Sequence, residues 1–168
     1  MIKVKRFFLE IKKDQFLSQT LFFPKKIQVY LDKKKNININ KFFYRQIGKD
    51  HFWRDRLLWS DQEWHKYVDN KNLDTGVMKL EEELIGFYEQ EFHKEKNEIE
   101  LIQMGVLKEY HGKKFGSFLL EYIIHKAFVK NVERVWVHTC SLDHKYALDN
   151  YLSKGFKTFK EETVNFVR

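Results

Sequence analysis

Apolar and polar residues change their spacing several times along the chain, and the changes divide it into elements. IQVYL (27–31) reads as an early strand, with LFF (21–23) beginning or preceding it. NKFFYRQIG (40–48) and SDQEWHKYV (60–68) read as helices. The second opens on Ser60-Asp61-Gln62-Glu63, a capping box in which serine and glutamate satisfy each other's backbone N–H groups. GVMKL (76–80) and LIGFYEQEF (84–92) predict a hairpin around Glu81-Glu82-Glu83. HKEKN (93–97) supplies the next turn and EIELIQMGVL (98–107) a further strand.

After a glycine-bearing stretch the period turns helical. FGSFLLEYIIHKAFVK (115–130) is apolar on more than one face, as a helix packed between a sheet and other elements must be. ERVWVHTCS (133–141), rich in branched and aromatic residues, predicts a strand. HKYALDNYLSKG (144–155) predicts a helix stopped by glycine, and FKTFKEETVNFVR (156–168) one or two closing strands. No repeat, low-complexity segment or linker interrupts the series, and Pro24 is the sole proline. The order implies one domain over 1–168 of mixed α/β or α+β type, a sheet with helices on its faces.

Composition narrows this picture. Hydrophobic residues make up 43% and aromatics 17% of 168 residues, too many for a disordered chain. A single cysteine, Cys140, leaves no disulfide framework within the chain. MIKVKRFFLEIKK (1–13) lacks the apolar run and cleavage site of a signal peptide, and no stretch approaches 18 uncharged apolar residues. A soluble, cytoplasmic protein is the expectation. Residues 1–50 hold 13 Lys and Arg against 4 Asp and Glu, a balance of +9, and the remainder of the chain carries −2. Short lysine clusters such as Lys33-Lys34-Lys35 read as a solvated surface rather than a nucleic-acid tract.

The chemistry concentrates in EYHGKKFGSFLLEYI (109–123). A helix start offers unpaired N–H groups and partial positive charge, and glycines let an anion approach them. Around it, GVLKEYHGKKFGS, RVWVHTCSLDH and ALDNYLSKGF follow in order over residues 98–156. This stretch resembles the core of the GCN5-related N-acetyltransferase (GNAT) superfamily: a strand, a pyrophosphate loop of pattern Gln/Arg-x-x-Gly-x-Gly/Ala, a helix, a strand, and a helix ending Tyr-x-x-x-Gly-Phe. RLLWSD (56–61) and the two later segments further resemble a group of bacterial proteins in that superfamily, a likeness that names no substrate. His111 stands where the pattern has Gln or Arg, and Lys114 where it has its first glycine; Gly112 and Gly116 remain. His144 stands where the family often has an asparagine on the cofactor.

The resemblance implies a mixed, mainly antiparallel twisted sheet and acetyl-CoA as co-substrate for a primary amine acceptor, small-molecule or protein. It places the pyrophosphate on the loop and helix start, with His111, Gly112, Lys113, Lys114, Phe115, Gly116 and Ser117 as contacts. Met104, Gly105 and Val106 would pair with the pantetheine arm, beside His144. Tyr151 takes the position of the general acid that protonates the departing thiolate.

Deprotonating an alkylamine of pKa near 10.4 at neutrality costs about 4.6 kcal/mol, so a proton acceptor is needed. Glu100 is the leading candidate, with Glu89, His138 or a water as alternatives. The resemblance implies that the early helices wall the acceptor pocket, with Trp59 or Asp61 touching the acceptor, whereas core packing is the expected role of most of the aromatics in 52–68. HTCSLDH (138–144) offers ligand types without the paired spacing of a zinc site, so no metal is expected, and no partner for a covalent Cys140 intermediate is visible.

Two rival readings stay open. One is a basic nucleic-acid-binding module stacking bases on Phe42, Phe43 and Tyr44 between Lys41 and Arg45. The other is a CoA-binding fold without catalysis, suggested by His111 and Lys114. Sheet pairing between subunits, common in the superfamily, also admits a homodimer.

Overall fold

The computed structural model describes residues 1–166, so Val167 and Arg168 of the closing strand segment lie outside the described residues. Seven strands, β1 (Ile2–Lys12), β2 (Ile27–Leu31), β3 (Leu73–Leu80), β4 (Glu83–His93), β5 (Glu98–Val106), β6 (Arg134–Cys140) and β7 (Lys157–Phe166), form one sheet in the order β2-β3-β4-β5-β6-β1-β7. Among the described residues four α-helices, α1 (Ile37–Gly48), α2 (Asp61–Val68), α3 (Phe115–Val129) and α4 (Ala147–Ser153), flank it. Every neighbouring pair is antiparallel except β5 with β6. The mixed, mainly antiparallel class expected from the sequence is the one observed. No helix among the described residues is long and apolar enough to cross a membrane.

Local chemistry accounts for most boundaries. Asn36 caps α1 by accepting from the Asn38 N–H at 3.1 Å, which starts that helix earlier than the sequence pattern suggested. The capping box of α2 forms in full between Ser60 and Glu63. α3, apolar on several sides, buries Leu119, Leu120 and Ile123 against Leu9, Ile99, Leu101, Val135 and Val137 of the sheet. On the opposite face α1 sets Phe43 and Ile47 against Val77 and Phe87, and the Phe43 and Phe87 rings stack at 5.0 Å. Phe43 and Tyr44 are therefore core residues, and of the three rings considered for base stacking only Phe42 is exposed. Residues 21–23 form no regular element.

The largest departure from the sequence reading is β1, which no part of that reading assigned. It lies inside the sheet, pairing with β6 (Arg6 opposite Cys140, Phe8 opposite His138) and with β7 (Val4 opposite Val164). Its apolar alternation changes phase: Val4 is buried on one side, Leu9 and Ile11 on the other, with an irregularity against β7 between Phe8 and Leu9. A strand covered on different faces at its two ends shows no single period-two stripe.

β5 and β6 pair only through Glu98–Arg134 to Leu101–Val137. At that paired end Arg134 donates from Nε to Glu98 at 2.9 Å and from Nη1 to Glu10 of β1 at 2.7 Å, tying three strands together. Just beyond, Glu89 opposes Gln103 while Gln90 opposes Leu101, so Ile102 is an extra residue in β5. Such a bulge bends the strand, and here it turns β5 away from β6. Leu9, fully buried behind this junction, is expected to lose about 3 kcal/mol of stability on Leu9→Ala, read as a lowered urea midpoint at unchanged m-value.

Candidate active site

The parting of β5 and β6 opens a cavity of about 730 Å³. Met104, Gly105 and Val106 form its β5 wall. The Leu107 N–H donates to the Ile85 carbonyl at 2.8 Å, on the β4 side. By strand alternation Met104 and Val106 therefore turn their backbone groups the other way, into the gap. One of these is already used: His111 Nε2 donates to the Val106 carbonyl at 2.8 Å. Gly105 serves packing as well, because a Cβ there would meet the Ile47 side chain at 2.9 Å.

The turn at one end is built from the backbone. Gly112 has φ +78 with open space around it. Lys114 also adopts the left-handed conformation, φ 63 and ψ 16, at the cap position of α3. A lysine there costs about 1–2 kcal/mol over glycine. Its side chain makes no cap bond, and the first intrahelical bond runs from the Phe118 N–H to the Lys114 carbonyl at 3.0 Å. The N–H groups of Phe115, Gly116 and Ser117 consequently have no intrahelical acceptor, and all three residues line the cavity with His111, Gly112 and Lys114. Backbone donors, a helix dipole and a lysine converge on one spot, an arrangement suited to a phosphate group. Lys113 does not line the cavity; its ammonium lies over the Tyr110 ring at 5.8 Å.

His144 lines the same space from the β6–α4 connection. Its ring meets His111 at 5.2 Å and His51 at 5.9 Å, while its Nδ1 accepts from the Tyr146 N–H at 3.3 Å. Burial, then the neighbouring His111, His51 and Lys145, lower its pKa, so it stays neutral at pH 7.

Tyr151 of α4 reaches the cavity from below, its ring against Phe156 at 5.6 Å. Burial, reinforced by the Asp143 carboxylate, raises its pKa, so the phenol holds its proton. Asp143 itself accepts from the Thr139 hydroxyl at 2.6 Å and the Cys140 N–H at 2.9 Å, fixing the turn after β6. Burial and Asp143 also raise the pKa of Cys140, which keeps that thiol protonated and poorly nucleophilic.

The carboxylates considered as proton acceptors lie elsewhere. Glu100 does not line the cavity; it accepts from His93 Nε2 at 2.9 Å on the open sheet face, with Glu91 close by. Glu89 is fully buried and bound on both oxygens: Asn40 Nδ2 donates at 2.8 Å, Arg56 Nη1 at 2.8 Å and the Tyr67 hydroxyl at 2.6 Å. Arg56 in turn lies 4.1 Å from the Tyr67 ring centre, 5.2 Å from Trp59 and 5.5 Å from Tyr44. Burial alone would lower the pKa of Arg56, but Glu89 outweighs it and the net shift is upward. Trp59 belongs to this cage, Asp61 is an exposed partner of Lys41, and neither lines the cavity.

His138 does line it. Desolvation, then Arg6, lower its pKa from 6.5, leaving a neutral imidazole at pH 7. Val4 and Arg6 of β1, Phe52 and Trp53 after α1, and Phe166 of β7 line the cavity as well. Sequence reasoning missed these five. The phase-broken alternation in 2–11 was a usable signal for the first two; nothing local marked the others.

Lys114→Gly is expected to raise stability by up to about 1 kcal/mol, the relieved strain being partly offset by glycine's greater unfolded-state freedom. Thermal denaturation checks it. Arg56→Ala leaves Glu89 buried without its countercharge and is expected to cost about 3–5 kcal/mol, seen as a loss of the cooperative unfolding transition at ordinary temperatures.

The model of the acetyltransferase (GNAT) family matches residues 37–156. An aminoglycoside acetyltransferase from an uncultured soil metagenomic sample, crystallised with trehalose, superposes with TM-score 0.66 at 18% identity, covering 85% of this chain and 95% of its own. A GCN5-related N-acetyltransferase from Sphaerobacter thermophilus gives 0.70 at 12% identity over 95% of this chain, which spans 50% of that longer protein. An IAA acetyltransferase from Bacillus cereus gives 0.58 at 20% identity, covering 80% and 79%. No curated protein matches the chain.

Proposed function

The chain belongs to the acetyltransferase (GNAT) family, and from that premise we propose that it moves an acetyl group from acetyl-CoA to a primary amine by direct attack. One observation carries the reading: the uncapped start of α3, the unpaired edge of β5 and the Tyr151 ring all face one cavity. The diphosphate of the co-substrate would rest on the N–H groups of residues 115–117, with Lys114 and His111 beside it. Its pantetheine amides would bond to Met104 and Val106 along the open edge, which requires His111 to release the Val106 carbonyl. That exchange suits His111, because the diphosphate offers its ring N–H a stronger, charged acceptor.

In the chemical step the neutral amine nitrogen attacks the thioester carbonyl, forming the C–N bond and a tetrahedral intermediate whose collapse breaks the C–S bond. The thiolate takes the proton of Tyr151, a phenol whose raised pKa keeps it loaded. The acceptor's surplus proton passes to His138, directly or through water. We assign the base to His138 rather than Glu100 because the imidazole lines the cavity and is free at pH 7. The lowered pKa keeps the imidazole unprotonated at pH 7, and the proton it takes, that of the tetrahedral ammonium-like intermediate, is more acidic than that of the starting alkylammonium.

Acetyl-CoA is expected to raise the melting temperature, and thiol release should accompany turnover of an amine. Tyr151→Phe should lower kcat on the order of 100-fold with the CoA dissociation constant unchanged. An unaltered kcat removes the phenol from its role. The acid limb of the pH profile should fall below pH 6.5, because the depressed pKa of His138 must be passed before the base is lost. His138→Ala should abolish that limb.

A further inference from the structure

Three histidines from three separate segments meet on the cavity wall. His51 follows α1, His111 precedes the turn into α3, and His144 lies between β6 and α4. The His144 ring stands edge-on to both others, 5.2 Å from His111 at 84° and 5.9 Å from His51 at 72°. His144 Nδ1 accepts from the Tyr146 N–H, which leaves the proton of the neutral ring on Nε2. Lys114, at the start of α3, lines the same wall. No motif marks His51, which comes to this group through the fold alone.

The charges that act on His144 are of one sign. Burial, then His111, His51 and Lys145, disfavour its protonated form. Lys114 and the dipole of α3 add the same sign beside His111. Carboxylates do line the cavity on these segments: Asp55 beyond His51, Asp143 before His144, and Asp149 on α4. Asp143 is held by Thr139 and Cys140, and none of the three is among the groups that act on His144. Asp50 and Glu109 adjoin His51 and His111 in the chain and do not line the cavity; the phenols of Tyr110 and Tyr146 do.

An anion reverses this balance. Imidazole is the side chain whose charge changes between pH 5 and 8, and neighbouring imidazolium rings repel one another. A diphosphate diester stays anionic throughout that range and gives each ring a charged acceptor.

We propose that His51 joins His111 and His144 as a contact for the diphosphate of acetyl-CoA, and that the three rings take up protons as it binds, so that affinity falls as the pH rises. This rests on the acetyltransferase reading and adds to it a binding residue and a proton linkage. The sign follows from reciprocity: a ligand that makes protonation easier binds more tightly where protons are plentiful. The gain is complete below the pKa the rings have in the free protein, and it is gone above the higher pKa they take in the complex.

The test uses the full chain and dephospho-CoA, whose diphosphate keeps its charge between pH 6 and 8. Its Kd by calorimetry is expected to be about tenfold lower at pH 6 than at pH 8. At pH 7.5 the binding heat should differ between Mops and Tris in the direction of proton uptake, a readout that needs no variant. His51→Asn keeps a polar side chain without titration, and should shrink the ratio to about threefold with the Kd at pH 8 little changed. Adding His144→Asn should bring it below about twofold. A Kd indifferent to pH, equal heats in the two buffers, or a His51→Asn variant with the full pH dependence overturns the inference while diphosphate binding stands. Absence of binding at either pH instead removes the diphosphate reading beneath it, and the inference with it.

Discussion

The site exists because two neighbouring parallel strands are held together at one end and forced apart at the other. Four residue pairs join β5 to β6, and the guanidinium of Arg134 ties that end to both Glu98 and Glu10. Past the extra residue at Ile102 the strands no longer share hydrogen bonds. Backbone groups left unpaired in a protein interior are costly, so such an edge persists only where water or a ligand can reach it. The gap therefore supplies in one stroke a cavity, a row of main-chain donors and acceptors, and access to both sheet faces. Tyr151 enters from the α4 side and His138 from β6, so the acid and base we propose line the same space.

A second constraint holds the segment that follows α1. The segment between α1 and α2 has little regular structure, yet Arg56 anchors it by pairing with Glu89 inside a ring of Tyr44, Trp59 and Tyr67. Such a pair breaks even against an apolar core only when every polar atom is satisfied, and Glu89 is bonded by three partners. The return is position rather than stability. Trp53 and Phe52, a few residues upstream on the same segment, line the cavity.

The parts of the fold with a single period were legible in the sequence. The capping box at Ser60, the apolar helix from Phe115 and the strand–helix–strand order all follow from local chemistry. So does the turn before that helix, where Gly112 and Lys114 take positive φ and the first N–H groups of the helix have no intrahelical acceptor. What stayed hidden needed the third dimension. β1 has no single stripe because its two ends are covered on different faces. Glu89 and Glu100 look equivalent on adjacent strands, but one is buried in the Arg56 cage and the other bonds His93 on the open sheet face. Spacing along a strand assigns a face, and it does not say which residues on that face meet a cavity. The left-handed Lys114 was foreseeable only as a cost attached to a pattern that prefers glycine.

The interior position of β1 also governs how the molecule comes into being. Arg6 finds its partner Cys140 only after more than a hundred intervening residues, and the strand on its far side, β7, comes later still. During synthesis β1, rich in lysine, must wait unpaired until β6 and β7 have been made. Contacts of such long sequence separation close slowly. Lys3, Lys5 and Arg6 keep that waiting segment soluble and mutually repelled, which guards it against pairing with another nascent copy.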